Sequence, residues 1–263
     1  MIHVATVHHQ SDKWIDIQLD YLARTFAEPY LVWASCEGID EGRTKRFDRV
    51  VPSLGPHPGK LNLLALAIAQ EAADDDLLVF LDGDAFPIAD PMPVVRTALA
   101  RTPLVAIRRD ENAGDPQPHP SFCVTTVGFW HRIGGDWSRG HTWKRADGAT
   151  VTDTGANLMW ALDQNEEQWT PLLRSNRVNL HPLFFGIYGG IVYHHGAGFR
   201  RMISRADLAA AGRGSKAPTT AFARFVDSAR RLLTTRSERG NRKLSDEIFQ
   251  QILRDPAFYQ QFQ

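Results

Sequence analysis

Residues 77–88 read LLVFLDGDAFPI and give the clearest fold signal in the chain. The five apolar residues at 77–81, bounded by a polar turn, are typical of a short strand buried on both faces of a sheet. Asp82, Gly83 and Asp84 follow at once. Ligands of open α/β sheets bind at the carboxyl ends of the strands. The stretch therefore predicts a ligand site at the end of a buried strand.

Strand-like and helix-like segments alternate before this stretch. Short apolar runs at 2–7 and 30–36 predict strands, and a shorter strand is predicted at 50–54. Apolar residues at helical spacing predict helices at 11–26 and 61–72. Strands that alternate with helices in this order indicate a Rossmann-like, doubly wound α/β domain.

The second half of the chain is less regular. Its predicted elements are strands at 103–108 and 122–127, a helix at 152–162, a strand at 183–194 interrupted by glycines, and a polar helical region at 219–262 with breaks near Gly240 and Pro256. We expect one α/β catalytic domain at 1–215. A helical extension at 216–263 is expected to pack on or near it.

Composition limits the class of protein. The 263 residues are 43% hydrophobic, enough to bury a large core. Lys and Arg total 30, as do Asp and Glu, so a nucleic-acid binder is not expected. Cys36 and Cys123 form no CxxC pair, which argues against a thiolate zinc site and for a reducing compartment. Without a signal-peptide pattern or a long apolar run, the expected location is the cytoplasm.

Asp82 and Asp84 are the candidate metal ligands. Two carboxylates spaced one residue apart at a strand end can share a divalent cation, and oxygen ligands suit Mg²⁺ or Mn²⁺ better than Zn²⁺. Such a cation would neutralise a diphosphate and stabilise it as a leaving group. The alternative is a plain polar turn, because Asp and Gly both favour turns.

The order of strand, helix, strand, a helix with Lys60 and Asn62, and then LLVFLDGDAFPI resembles the GT-A class of nucleotide-sugar-dependent glycosyltransferases. The resemblance runs from residue 1 to about residue 200. It implies a mixed sheet flanked by helices, Mn²⁺ or Mg²⁺, a UDP- or GDP-sugar donor and an acceptor of unknown identity. It also implies that Asp84 binds the metal directly, while Asp82 contacts the metal or the ribose.

A late histidine completes the metal site in that class. The sequence YHHGAG places His195 in an H-x-x-G pattern after a strand, which favours His195 as the metal ligand. Neighbouring strand residues point to opposite faces, so only one of His194 and His195 is expected to face the site. His194 is the alternative and is also assigned to the donor site. Gly196 would let the backbone approach the phosphates closely.

The resemblance assigns further donor contacts to Thr6, Val7, His8, Lys60, Asn62, Asp82, Gly83 and Arg108. The end of the first strand, at Thr6 to His8, would hold the base and the ribose. His8 could equally be an exposed loop residue, and Lys60 a surface residue at a helix start. Arg108 could instead belong to a solvated charge cluster.

Asp153 is the candidate catalytic base. It lies in VTDTGANLMWAL at a predicted helix start, where a glycosyltransferase of this class can place an acid that deprotonates the acceptor hydroxyl. The alternative role is a helix N-cap, which Asp commonly fills. The segment DTGANL departs from the DQD-x-L-N block of the retaining family that includes glycogenin. Retention or inversion therefore stays open.

Two other functions are compatible with parts of this sequence. A haloacid-dehalogenase-type phosphatase also has a D-x-D motif, but on its first strand and followed by Thr or Val, whereas Ala85 follows here on a later strand. A non-catalytic nucleotide- or sugar-binding module is the third alternative. The basic helix near the C-terminus could make a weak peripheral contact with an anionic membrane, or it could pack on the catalytic domain.

Overall fold

The computed structural model describes residues 1–145, 148–196, 198, 201–211 and 221–263. The strands are β1 (Ile2–His9), β2 (Tyr30–Glu37), β3 (Arg49–Val51), β4 (Leu77–Asp82), β5 (Ala85–Pro87), β6 (Leu104–Ile107), β7 (His119–Thr126), β8 (Trp143–Lys144), β9 (Thr150–Val151), β10 (Thr170–Leu172), β11 (Gly186–Tyr188) and β12 (Val192–His194). The helices are α1 (Ile15–Thr25), α2 (Glu41–Thr44), α3 (His57–Ala69), α4 (Met92–Leu99), α5 (Val127–Arg132), α6 (Ala156–Gln164), α7 (Arg205–Ala210) and α8 (Ala221–Arg254). A 3₁₀ turn at Phe258–Phe262 follows α8.

The central sheet has seven strands in the order β10-β6-β7-β4-β1-β2-β3. Strand β1 pairs in parallel with β2 and β4, whereas β7 runs antiparallel to β4 and β6. The predicted α/β class with a mixed sheet flanked by helices is confirmed. In the β1–β4 pair Val7 lies opposite Asp82, so both strands end at the same edge of the sheet.

Helices cover both faces of this sheet, which explains the unbroken apolar run in β4. Leu77, Val79 and Leu81 belong to one buried cluster, together with residues of α1 and α4. Leu78 and Phe80 belong to another, with residues of α3, α5 and α6. Because successive strand residues face opposite sides, a strand between two helical layers must be apolar at every position.

A smaller sheet brings the late strands next to the end of β4. Its order is β11-β12-β5, and β12 runs antiparallel to both neighbours. An aromatic-rich cluster packs beside it and includes Ile248 and Ile252 of α8. The break expected near Gly240 is wrong, since α8 continues from Ala221 to Arg254. The boundary expected at 215/216 lies outside the described residues.

The first half of α8 is largely exposed. Phe225, Leu232 and Leu233 are exposed, and the side chain of Phe222 lies outside what the structure describes. None of the described helices carries an apolar stretch long enough to cross a membrane. The weak peripheral membrane contact that the sequence left open for this helix, as an alternative to packing on the catalytic domain, is not supported.

Candidate metal centre and binding cavity

A cavity of about 570 Å³ opens at the edge where β1 and β4 end. Asp82, Gly83 and Asp84, in the turn between β4 and β5, form part of its wall. Sites for small ligands commonly enclose roughly 300–1,000 Å³. The sequence-predicted carboxylates therefore line a space of the right size for a nucleotide-sized ligand.

Strand pairing in the small sheet brings a histidine to these carboxylates. The register of β12 against β5 pairs His194 with Ala85, one residue after Asp84. His194 Nε2 lies 3.5 Å from Asp84 Oδ1 and 3.7 Å from Asp82 Oδ2. Ligand atoms of the three residues all lie within 4.8 Å of one another. Two carboxylates and one imidazole are a donor set that Mn²⁺ accepts, and their spacing allows one cation to bind all three.

The surroundings of Asp84 and Asp82 suit both carboxylates to bind a cation. Burial opposes ionisation of Asp84, but His194 and the Gly198 N–H, which donates to Asp84 Oδ2 at 3.0 Å, hold its pKa well below the usual range. Asp82 Oδ1 is buried and accepts no hydrogen bond from the described residues, although His57 Nε2 lies 3.3 Å away. A buried carboxylate oxygen without a donor fits a role as a metal ligand.

His195 points away from the carboxylates. Its ring is fully buried, with Nδ1 2.9 Å from the Tyr193 hydroxyl and Nε2 2.6 Å from Ser245 Oγ. Trp14 packs on the ring at 4.7 Å between centroids. Burial lowers the pKa of His195 to about 3. Both ring nitrogens are occupied by protein groups, so the geometry favours His194, the reverse of the order expected from the sequence.

Gln18 holds the carboxylate turn in place and was not found from the sequence. Its Nε2 donates to the carbonyl oxygens of Asp82 and Ala85, both at 2.8 Å. Its Oε1 accepts from Thr6 Oγ1 at 3.0 Å and lies 3.2 Å from His8 Nε2. Gln18 is fully buried on α1, at a position that the helical spacing of apolar residues gave no reason to single out.

The first strand supports the turn more than it lines the cavity. Of its three predicted donor contacts only Val7 is in the cavity wall, while Thr6 and His8 are fully buried and bonded to Gln18. The alternative of an exposed His8 is wrong, and burial lowers the pKa of His8 to about 4. A Cβ on Gly83 would lie 2.5 Å from the Val7 carbonyl oxygen, so only glycine fits there.

Glu37, Lys60 and His9 form a group of polar residues in the cavity wall. Lys60 is buried, lines the wall and pairs with Glu37, and His9 Nδ1 lies 3.3 Å from Glu37 Oε2. Asn62 has a different role. It is not among the described residues that line the cavity, and its amide donates to Asp136 at 2.5 Å while its oxygen accepts from Trp137 N.

Arg109, rather than Arg108, faces the cavity. Arg108 pairs with Asp110 at 2.7 Å and is absent from the described residues that line the cavity. This agrees with its alternative interpretation, a member of a solvated charge cluster. Arg109 is buried and lines the wall. Gly196 also lines the cavity beside His194, in agreement with its predicted position.

Asp153 lies on the cavity wall with Thr154. It precedes α6, whose N-cap is Gly155, so the alternative role of Asp153 as the N-cap is wrong. Arg139 lies 3.4 Å and Arg109 3.8 Å from its two carboxylate oxygens. The carboxylate is therefore held between two cations in the cavity wall.

The solved structures to which this fold is similar include several that are named as glycosyltransferases, the class that the sequence resembles. No family model and no curated protein matches the chain.

Three of these structures show the extent of the likeness. The mannosyltransferase PcManGT from Pyrobaculum calidifontis, solved with GDP-Man and Mn²⁺, is 15% identical over 51% of this chain and 46% of its own, with a TM-score of 0.40. The glycosyltransferase GlyE of Streptococcus pneumoniae is 12% identical over 51% and 36%, with a TM-score of 0.38. The galactosyltransferase LgtC, solved with donor and acceptor sugar analogues, is 12% identical over 62% and 70%, with a TM-score of 0.38. The chain spans less than half the length of the first two. Each of the three matches covers part of this chain at low identity.

Proposed function

We propose that this chain is a divalent-metal-dependent glycosyltransferase. It would move a sugar from a nucleoside-diphosphate donor, UDP- or GDP-linked, to an acceptor hydroxyl. The observation that carries the proposal is the Asp82–Asp84–His194 group in the wall of a cavity of about 570 Å³. A pair of carboxylates and a histidine beside a nucleotide-sized space match the need to bind a metal and a diphosphate together.

Asp82, Asp84 and His194 would hold Mn²⁺ or Mg²⁺, and the bound cation would neutralise the diphosphate as it leaves. The backbone at Gly83 and Gly196 lies in the wall beside these ligands, where the phosphates would pass close to the chain. Gln18 keeps the turn between the two aspartates in the geometry that the metal needs.

The nucleoside is assigned to the part of the cavity wall formed by Glu37, His57 and Lys60. A carboxylate accepts hydrogen bonds from ribose hydroxyls or base N–H groups, and the neighbouring lysine supplies a positive charge near the phosphates. Val7 contributes an apolar contact from the end of β1.

Asp153 is assigned as the base. The acceptor hydroxyl oxygen forms a bond to the anomeric carbon, while the bond from that carbon to the diphosphate oxygen breaks. The electron pair of that bond leaves with the diphosphate, and the hydroxyl proton moves to Asp153. Arg139 and Arg109, both within 4 Å of the carboxylate, keep it aimed at the cavity.

The two alternatives fit the site less well. A phosphatase of the haloacid-dehalogenase type needs further acids close to its D-x-D pair, and the described residues contain one metal-binding group, completed by a histidine. A non-catalytic binding module would need no general base at the position of Asp153.

The test is a screen of UDP-, GDP-, CDP- and TDP-sugars by calorimetry, with Mn²⁺, with Mg²⁺ and with a chelator. We expect one nucleotide to bind at least about tenfold more tightly with metal than without, and the donor sugar to be released slowly by hydrolysis. Metal-independent binding of every nucleotide would overturn the metal assignment. Metal-dependent binding with no release of sugar, even at high enzyme concentration, would indicate a binding module.

A further inference from the structure

A second, smaller recess of about 170 Å³ adjoins the cavity. Its described lining residues are Arg109, Glu111, Asn112, Asp153, Leu183, Phe184, Arg201, Ile203 and Arg205. Arg109 and Asp153 line both spaces. A molecule in the recess therefore reaches the same carboxylate that faces the cavity. The volume is below the range of sites for drug-sized ligands, so the recess suits a small molecule.

Arg109 is the unusual residue of this recess. It is only 7% exposed, and its Nε is buried without a hydrogen-bond partner among the described residues. Its nearest acids are Asp115 at 3.7 Å and Asp153 at 3.8 Å, too distant for hydrogen bonds. A buried guanidinium N–H without an acceptor is costly, because it has lost its water and gained no hydrogen bond in return. An anionic ligand would supply the acceptors that the protein leaves out.

The other two arginines are held in place from the C-terminal region. Arg205 donates to the Asn112 carbonyl oxygen at 2.7 Å and lies 3.7 Å from Asp115. Arg201 donates through Nε to Glu238 of α8 at 2.5 Å, and half of its side chain remains exposed. These contacts hold the side chains of Arg201 and Arg205 in the wall of the recess.

The charge of the lining favours an anion. Three arginines and two acids, Glu111 and Asp153, line the recess, and the Tyr188 hydroxyl already donates to Glu111 at 2.6 Å. Two further acids lie outside the described lining: Asp115 is 3.7 Å from Arg109 and from Arg205, and Glu238 pairs with Arg201. Leu183, Phe184 and Ile203 add an apolar side to the recess. A small molecule with a charged oxyacid group and a short carbon skeleton matches both features.

We propose that this recess is the acceptor subsite and that the acceptor carries a phosphate or carboxylate group close to the hydroxyl that receives the sugar. Arg109 binds the anionic group, Arg201 and Arg205 add to the positive field, and the hydroxyl lies at Asp153. The assignment rests on the proposed function, because it needs a donor sugar in the neighbouring cavity. It names the chemical class of the acceptor, which neither the sequence nor the fold supplies.

The test uses the full chain saturated with Mn²⁺ and the nucleoside diphosphate that binds best. Glycerol 3-phosphate, D-glycerate and neutral glycerol are titrated as probes by calorimetry. We expect at least one anionic probe to bind about tenfold or more tightly than glycerol. Arg109→Gln should weaken that binding about tenfold or more, because it removes a charge-assisted bond. The variant Arg108→Gln, at the partly exposed neighbouring residue that is absent from the described lining of both spaces, serves as the matched control and should bind the probe like the unaltered chain.

Arg201→Gln provides a second variant in case Arg109→Gln does not fold. Arg201 lines the recess and is absent from the described lining of the larger cavity, so the variant should weaken the anionic probe several-fold and leave nucleotide binding unchanged. The inference is overturned if the anions bind no better than glycerol, if they displace the nucleotide, or if Arg109→Gln and Arg201→Gln, when folded, bind them like the control. These outcomes leave the proposed function intact. A chain that binds no nucleotide with any metal would instead refute the proposed function, and the acceptor assignment with it.

Discussion

His195 Nε2 and Ser245 Oγ lie 2.6 Å apart, which ties the end of the small sheet to the second half of α8. The contact explains why two adjacent histidines have different environments. His195 is turned into the core against Trp14, and its neighbour His194 is left facing Asp84. A helix that could have been a separate appendage thus takes part in orienting the strand that carries the candidate metal ligand.

Exchanging each histidine for alanine should separate these roles. His194→Ala removes a nitrogen ligand, so Mn²⁺ affinity should fall more than in His195→Ala. The second variant leaves the Tyr193 and Ser245 hydroxyls unpaired in the core, so its melting temperature should fall further than that of His194→Ala. Metal titration and thermal unfolding of both variants provide the check. Equal metal affinities in the two variants would contradict the assignment of His194.

Asp84→Asn should abolish metal-dependent nucleotide binding while the protein stays folded. The change keeps the shape of the side chain but removes the anionic charge. Loss of a residue that only supports a ligand typically costs 10–100-fold in metal affinity, so loss of a ligand should cost more than about 100-fold. Calorimetry with nucleotide and Mn²⁺ measures the effect. Asp163→Asn, on the exposed side of α6, is the control and should bind like the unaltered chain.

Gln18→Leu should loosen the turn that carries both aspartates. It leaves the carbonyl oxygens of Asp82 and Ala85 without their donor in a buried place. We expect a loss of more than about 2 kcal/mol in the free energy of unfolding. Mn²⁺ affinity should fall by roughly 10–100-fold. Urea unfolding and metal titration test both, and the exposed Gln164→Leu controls for the change in hydrophobicity. Unaltered metal affinity would show that Gln18 serves the fold alone.

Asp153→Asn should lower turnover and spare donor binding. A general base contributes typically 10²–10⁴-fold, so the rate should fall by about that factor. The metal ligands are separate residues, and nucleotide affinity should change little. Steady-state rates and nucleotide titration are measured on the same preparation, once the screen has identified the donor. A variant with the rate of the unaltered chain would refute the role of Asp153 as the base.

Stability should decrease as the pH is lowered from about 6.5 towards 4. Burial lowers the pKa of His8 to about 4 and that of His195 to about 3, whereas both titrate near 6.5 when the chain is unfolded. Between these values the unfolded chain binds protons that the folded chain does not. The free energy of unfolding therefore decreases as the pH decreases. Urea midpoints at pH 7.5 and pH 4.5 measure the trend. His8→Gln should make it shallower, and an unchanged slope would contradict this account.

Local pattern was sufficient for much of the fold. The apolar run of β4 predicted a strand buried on both faces, and the aspartates at its end predicted the edge where the cavity opens. These features depend on residues close together in the chain and on the geometry of a strand, which is why they could be read without a tertiary structure. The expected break at Gly240 is wrong because one glycine costs a helix only about 1 kcal/mol, and the good helix formers around it and the packing of Ile248 and Ile252 outweigh that cost.

The sequence by itself determined that His194 and His195 would not both face Asp82 and Asp84, because strand residues alternate between faces. Only the tertiary structure decided which of the two does. The antiparallel register of β12 on β5, more than 100 residues apart in the chain, sets His194 opposite Ala85. The tertiary structure also decided the role of Gln18, whose amide bonds to the turn where α1 packs on β5. It likewise decided that Arg109, and not Arg108, lines the cavity. Non-local packing fixes which way such side chains point, and a local pattern contains no information about it.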